Sequence, residues 1–294
     1  MKSIKEYLPE KEILCGGTSA CAGCGALIGL RHALYVLGEK TIVCNPACCM
    51  TLINYFDRSC MNCSWIHTAF ECMGSTASGV RHSLDAQGKD MNVVVYAGDG
   101  GTADIGMQSL SHAAYCNEDI IYIEYDNNCY GNTGGQWSSQ TMTGASTKTK
   151  LNSNMDIPKN MEKIIASTNP NAYIATANIA YPTDFMNKVE KAKNHRGFSF
   201  LHLIVPCTTN WVFEPQYTVK VGKLTDKCGA FPLFEVNNGI LSLSKKYDDI
   251  GNVDEWVKSQ GRFKTITSDA KDKLQKFVND RMTELKERNG KVYV

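Results

Sequence analysis

The stretch from Gly98 to Gln136, GDGGTADIGMQSLSHAAYCNEDIIYIEYDNNCYGNTGGQ, constrains this chain more than any other. The apolar run Val93, Val94, Val95, Tyr96 closes on Gly98, so Asp99 stands at the carboxyl end of a predicted parallel strand, where open α/β sheets bind ligands. A helix carries the chain back, and a second apolar strand, Ile120 to Tyr125, delivers Asp126, Asn127 and Asn128 to the same sheet edge. Gly100 and Gly101 let backbone N–H groups approach an anion at the helix entrance. Mg²⁺ takes near-octahedral oxygen ligands, usually one or two carboxylates with carbonyls, water and substrate phosphates. Asp99, the Asn127 amide and the backbone carbonyl near Cys129 suit such an ion, with a diphosphate supplying the rest. A lone Gly-Asp-Gly is an ordinary turn. The Asp-Asn-Asn after the second strand, followed by Tyr130, Gly131, Asn132, Thr133, Gly134 and Gly135, sets this one apart.

Strands and helices alternate along most of the chain. Leu27, Leu30, Leu34 and Leu37 recur at helical spacing and stop at Gly38, which predicts a helix from Cys24 or Gly25; Thr41 to Cys44 then reads as a short buried strand. Residues 45–72 read as turn-like and rich in sulfur, and Ser75 to Ala86 as a helix. Asp104 is expected to cap a helix whose packed face carries Ile105, Leu110 and Ala113. Cys129 to Thr147 holds no charged residue and reads as a long polar loop, of the kind that is usually functional or mobile. Pro158 to Ser167 and Asp184 to His195 read as helices flanking a strand at Ala172 to Ala175, and Phe198 to Val205 as the final strand. The expected fold is therefore α/β: a doubly wound, mainly parallel sheet with helices on both faces. Beyond Pro206 the pattern breaks. The chain divides into a cofactor-binding domain, 1–213, and an irregular extension, 214–294, ending in a helix from about Ser268 to Asn289. The stripe Leu274, Phe277, Val278, Met282 and Leu285 on that helix is expected to pack on this domain rather than on another subunit.

Charge excludes one class of partner. The 31 basic and 30 acidic side chains nearly cancel, so no excess favours nucleic acid. No apolar run approaches about 18 residues, and Met1 to Leu14 alternates charges, so a cytoplasmic protein with no membrane span is expected. Thirteen cysteines are abnormal for such a chain, and without an export signal they point to metal or redox use rather than disulfides. Cys21-Ala-Gly-Cys24 sits on a loop entering a helix, where two thiolates can share a metal or a cluster corner. Zinc or a [4Fe–4S] cluster needs about four ligands. Cys49 and Cys207 each follow a strand and are candidates at the same edge as Asp99; Cys60-Met-Asn-Cys63 competes, because Cys21, Cys24, Cys60 and Cys63 also satisfy the ligand count of zinc. Cys72, Cys116 and Cys228 are expected to be buried small apolar residues.

Five landmarks in order resemble a known family: Ser19 to Gly25 (SACAGCG), Cys49-Met50, Trp65 to Glu71 (WIHTAFE), Gly98 to Gln136, and Pro206 to Trp211 (PCTTNW). The chain resembles, over nearly its whole length, the thiamine-diphosphate-binding β subunit of 2-oxoacid:ferredoxin oxidoreductases, most closely the pyruvate type. The resemblance implies one [4Fe–4S] cluster on Cys21, Cys24, Cys49 and Cys207, beside thiamine diphosphate. It implies Mg²⁺ on Asp99, the Asn127 side chain and the Cys129 carbonyl, and cofactor contacts from Gly98, Gly100, Gly101, Thr133 and His67. Asn132 matches a family asparagine facing substrate and thiazolium, and is the expected catalytic residue. The implied reaction is oxidative decarboxylation of pyruvate, with coenzyme A, to acetyl-CoA and CO₂, electrons leaving singly through the cluster to ferredoxin.

The chain offers no second thiamine-type domain and no ferredoxin-like Cys-x₂-Cys-x₂-Cys-x₃-Cys-Pro motif. An α subunit supplying the pyrimidine-side domain and most of the substrate pocket is therefore expected, with a ferredoxin-like subunit, external ferredoxin and a dimer of heteromers. Oxalate or a branched-chain 2-oxoacid is the alternative substrate; a cluster-free thiamine enzyme and a zinc or thiol module are more distant readings. The stretch Cys44 to Cys72 is richer in sulfur than the family pattern, and the resemblance gives Cys48, Cys60, Cys63 and Cys72 no role.

Overall fold

A computed structural model describes residues 2–55 and 58–294; Met1, Phe56 and Asp57 lie outside the described residues, the last two within the stretch read as turn-like. Helix α1 (Gly25–Leu37) leads into β1 (Thr41–Pro46), a small hairpin of β2 (Asn54–Tyr55) and β3 (Arg58–Ser59), and β4 (Ser64–Thr68). Then follow α2 (Met73–Ala86), β5 (Asn92–Gly98), α3 (Met107–Tyr115), β6 (Ile121–Asp126), α4 (Met161–Thr168), β7 (Tyr173–Asn178), α5 (Pro182–Asn194) and β8 (Ser199–Ile204). The C-terminal part adds α6 (Thr218–Lys227), β9 (Phe234–Asn237), β10 (Ile240–Leu243), α7 (Asp254–Lys258) and α8 (Ser268–Arg288).

The described residues form an eight-stranded sheet in the order β10-β9-β7-β8-β6-β5-β1-β4. Strands β4 to β7 in that row are parallel, and β9 and β10 add on antiparallel beside β7. The central strands are apolar on both faces because both faces are covered. Val94 and Tyr96 point into the core beneath α1 and α5, while Val93, Val95 and Ala97 point into the core beneath α2, α3, α4 and α8. The chain leaves β1 for β4 at one edge and returns on the other side of β1 as β5. Their carboxyl ends thus open at the point where the winding reverses, the position at which such sheets bind ligands.

Three expectations change. Strand β4 lies inside the stretch read as turns: it is a short edge strand with Ser64 and His67 exposed, so it carries no continuous apolar run. Phe198 to Val205 is not the final strand, since β9 and β10 extend the sheet from the C-terminal region. Asp104 caps no helix; it lies in a π-helical turn, Gly100–Ile105, and α3 starts only at Met107. Leu110 and Ala113 are buried as expected, but Ile105 is 49% exposed.

Residues 214–294 share the core of the rest. Leu274, Val278, Met282 and Leu285 of α8 are buried in the same cluster as Val95, Tyr122 and Phe200, with Phe277 packed against it. The second half of the loop that starts at Cys129 is polar and free of charge because it is inside: Ser138, Gln140, Thr141 and Thr143 are buried, whereas Asn132 and Thr133 are exposed. Several of its polar groups bond internally, as Thr141 does to the Asn128 carbonyl at 2.8 Å, although Trp137 Nε1 and Ser139 Oγ find no partner among the described residues; a charge there would be costly to desolvate. None of the helices among the described residues is long and apolar enough to cross a membrane.

Candidate active site

The end of β5 passes through Gly98 and Asp99 into the π-helical turn, closed by Gly106 N–H donating to the Gly101 carbonyl at 2.9 Å. Such turns concentrate at functional sites. Asp99 is only 1% exposed, and its Oδ2 accepts from Ser138 Oγ at 2.5 Å. Burial, with the neighbouring Asp126, pushes its carboxyl well above the ordinary range. A buried acid in that position ionises when a cation is placed against it. Gly100 has no room for a side chain, because a Cβ would lie 2.2 Å from the Tyr130 ring. Asp104 anchors the cover: its Oδ2 accepts from Tyr130 OH at 2.8 Å and from Ser139 N–H at 3.2 Å, and Lys159 pairs with Oδ1 at 3.4 Å.

The end of β6 supplies the facing wall. Asp126 Oδ1 accepts from Asn128 N–H at 2.7 Å, and Asn128 takes the left-handed conformation, φ +59°, which asparagine tolerates. Arg262 donates from Nη1 to Asn128 Oδ1 at 3.0 Å, its guanidinium 3.7 Å above the Trp211 ring. Burial lowers the Arg262 guanidinium to about 9, against the pull of Cys129 and Asp126. Trp211 Nε1 in turn donates to the Asn127 carbonyl at 2.7 Å. The 126–129 loop is thereby fixed from behind, with the Asn127 amide and buried Cys129 presented to the crevice.

Two cavities meet here. One, of about 170 Å³, is lined by Gly98, Asp99, Gly100, Gly101, Cys129 and Thr133, with Phe70 and Tyr130. The other, of about 220 Å³, is lined by Cys21, Cys24, Cys49 and Cys207, with Ser19 and Leu52 at its sides. Cys49, Asn127, Gly131 and Asn132 belong to both. Each residue expected to hold the thiamine cofactor, Mg²⁺ or the cluster lines one cavity or both, except His67, which is exposed on edge strand β4 with Nδ1 3.5 Å from Thr51 Oγ1.

The four cysteines reach their cavity from three directions. Cys21 and Cys24 lie on the loop entering α1, Cys49 follows β1, and Cys207 follows β8. Burial pushes the Cys24 thiol up to about 11, reinforced by Cys207 and Cys21; burial, Cys48, Cys207 and Cys24 raise Cys49 further. Cys24 and Cys49, whose ionisation burial and neighbouring sulfurs disfavour, are donors that a positive metal centre could satisfy. The four cysteines line one cavity, while no three His, Cys, Asp or Glu side chains among the described residues are grouped to hold a metal ion.

The rival zinc arrangement is not formed. Cys63 precedes Ser64, which pairs with Ile42 at the amino end of β1, and Glu39 is the charge that adds to burial in raising its thiol; Cys21 and Cys24 stand at the carboxyl end. Cys228 is buried as expected, but Cys72 is half-buried and Cys116 exposed, with Sγ 3.5 Å from His112 Nε2. Ser138, Arg262 and Asn210 support the site without a sequence signal of their own; Trp211 and Asn210 were visible only as part of PCTTNW.

Residues 46–203 match the family described as thiamine pyrophosphate enzyme, C-terminal TPP binding domain. The chain is 42% identical over 285 residues to the pyruvate synthase subunit PorB of Methanothermobacter marburgensis, covering 95% of this chain and 99% of that one. It is 40% identical over 294 residues to the ketoisovalerate oxidoreductase subunit VorB of Pyrococcus abyssi, covering 95% and 94%. Among solved structures, 2-oxoglutarate:ferredoxin oxidoreductase from Magnetococcus marinus, with 2-oxoglutarate, coenzyme A and succinyl-CoA bound, matches with a TM-score of 0.58 at 27% identity, covering 71% of this chain and 69% of that one. A sheet open at its winding reversal, a glycine-lined acidic cradle and this kinship agree: the chain is a thiamine-pyrophosphate-binding subunit of the 2-oxoacid:ferredoxin oxidoreductase family.

Proposed function

We propose that this subunit carries the reacting centre of a pyruvate:ferredoxin oxidoreductase, which decarboxylates pyruvate oxidatively with coenzyme A and passes the electrons through one [4Fe–4S] cluster. The observation that carries this reading is the shared wall of the two cavities, in which Cys49 and Asn132 face both. Pyruvate is favoured by the 42% identity to a pyruvate synthase subunit, and a branched-chain 2-oxoacid is the second reading because the ketoisovalerate relative stands at 40%.

Asp99, the Asn127 side chain and the Cys129 carbonyl would hold Mg²⁺, which neutralises the diphosphate. Gly98, Gly100 and Gly101 would let backbone approach that diphosphate, and Thr133 borders the same cavity. Cys21, Cys24, Cys49 and Cys207 would ligate the cluster. Thiamine diphosphate, when bound, supplies the electron sink for decarboxylation. Asn132, which lines both cavities, would orient the substrate carbonyl. Phe70 and Tyr130, in edge contact over the same cavity, would help exclude water from it. An α subunit with the pyrimidine-side glutamate, a ferredoxin-like subunit and external ferredoxin complete the enzyme, in a cytoplasm where the thiols stay reduced.

The test is anaerobic purification of the whole complex. Brown protein whose broad absorbance bleaches on reduction, releasing thiamine diphosphate and magnesium on denaturation, is the expected result. Colourless, zinc-containing protein overturns it. A panel of 2-oxoacids with and without coenzyme A identifies the substrate, and turnover by this subunit alone with an artificial acceptor would contradict the need for partners.

A further inference from the structure

Asn210 stands between the two halves of the site. Its Nδ2 donates to Cys207 Sγ at 3.3 Å, and it lines the four-cysteine cavity. Its other side presses on the 131–135 turn that carries Asn132 and Thr133. A Cβ on Gly135 would come within 2.2 Å of Asn210 Oδ1, and one on Gly131 within 3.4 Å of Nδ2 and 3.2 Å of Cys49 Sγ. Gly135 also has φ +94°, a backbone conformation that side chains rarely adopt. One short amide, packed against the turn, therefore directs an N–H to Cys207 Sγ. The Thr209 hydroxyl also lies 3.3 Å from that sulfur, but Thr209 is exposed and its hydroxyl rotates freely.

We propose that Asn210 is a positioning residue that raises the reduction potential of the cluster on Cys21, Cys24, Cys49 and Cys207 through its N–H···S bond to Cys207, and that Gly135 keeps that donor in place. This rests on the cluster reading above. One electron enters the oxidised cluster, its charge becomes one unit more negative, and no bond or proton moves. The added negative charge is shared by the ligand sulfurs, so a hydrogen bond to sulfur stabilises the reduced form more than the oxidised one. A neutral amide does this without burying a further charge beside Arg262 and the cysteines.

The test is an EPR-monitored redox titration of the complete complex with dithionite as electron donor, on Asn210→Leu, Asn210→Asp and Gly135→Ala. Asn210→Leu removes the donor, and Gly135→Ala displaces it from a distance. Both are expected to move the midpoint to lower potential, the reduced-to-oxidised ratio at a fixed poise falling about fivefold, the value of one net hydrogen bond. Asn210→Asp is expected to shift at least as far, because it replaces the donor by a negative charge. Unchanged potentials with full iron content overturn the inference. So does loss of the cluster from both Asn210 variants, which would make Asn210 merely structural. A wild-type complex without the cluster overturns the functional reading instead, so the two failures are distinct.

Discussion

Ser138 holds the Asp99 carboxylate through a buried hydrogen bond, and its own N–H is tied to Thr141 at 3.0 Å. At the scale of single residues this is how the site is made: an acid legible in the sequence is aimed by a serine that is not. Partners of metal ligands typically govern metal affinity by about 10–100-fold. Ser138→Ala is therefore expected to weaken Mg²⁺-dependent binding of thiamine diphosphate by about that factor while leaving the fold intact. Calorimetric titration of the purified complex checks it; unaltered affinity would show that Asp99 needs no such support. Asp99 and Asn127 were readable because each ends an apolar strand, whereas one serine among many in a polar loop announces nothing.

Four elements meet in a buried charge cluster behind the 126–129 loop. His202 on β8 pairs through Nδ1 with Glu162 of α4 at 2.9 Å and through Nε2 with Asp126 of β6 at 3.2 Å; Arg281 of α8 reaches Glu162 at 3.3 Å, and Glu124 of β6 lies beside them. Burial opposes ionisation of Glu162, but His202 and Arg281 outweigh it and hold the carboxyl at about 2. Burial likewise opposes charge on His202, yet Glu124 and Glu162 raise it well above its usual value. Glu124 itself is pushed up to about 8, chiefly by burial. The signs follow from linkage. The Glu162 contribution is present above pH 4.5 and is lost as pH falls toward 2. The His202 contribution is full below pH 6.5 and is lost as pH rises through its raised value, and protonated Glu124 loses stability in the same direction up to about pH 8. Thermal unfolding across this range is expected to show stability falling on both sides, and His202→Gln to remove the share of the alkaline decline that His202 itself contributes, leaving the Glu124 share, at an overall loss of about 3–5 kcal/mol. An unchanged alkaline limb would dismiss the network. None of this was visible in sequence, where Glu124 reads as one polar residue within an apolar strand.

For the whole molecule, the decisive fact is that the C-terminal region completes the core. Strands β9 and β10 continue the sheet, α8 buries Leu274, Val278, Met282 and Leu285, and Arg262 reaches back to Asn128. Each such side chain contributes about 1.5–3 kcal/mol on burial, so the four together match much of the net stability of a typical domain, about 5–15 kcal/mol. A chain cut after residue 213 is accordingly expected to be insoluble or to unfold without a cooperative transition, as judged by circular dichroism and scattering. A soluble, cooperatively melting fragment would mean that the region is an accessory.

By itself the sequence determined the alternating α/β pattern, the acidic glycine-lined turn after β5, the Asp-Asn-Asn after β6 and the unusual number of cysteines. These are legible because strand ends, helical periodicity and short motifs are local properties of the chain. Only the tertiary structure decided which cysteines share a cavity, that Cys63 faces the other end of the sheet, that His67 stays on the edge, and that Asn210, Arg262 and Ser138 hold the centre. Apart from the short-range Asn210–Cys207 bond, those are contacts between residues from sixteen to more than a hundred positions apart, and no local preference encodes them: they exist only once the sheet has fixed where each strand ends.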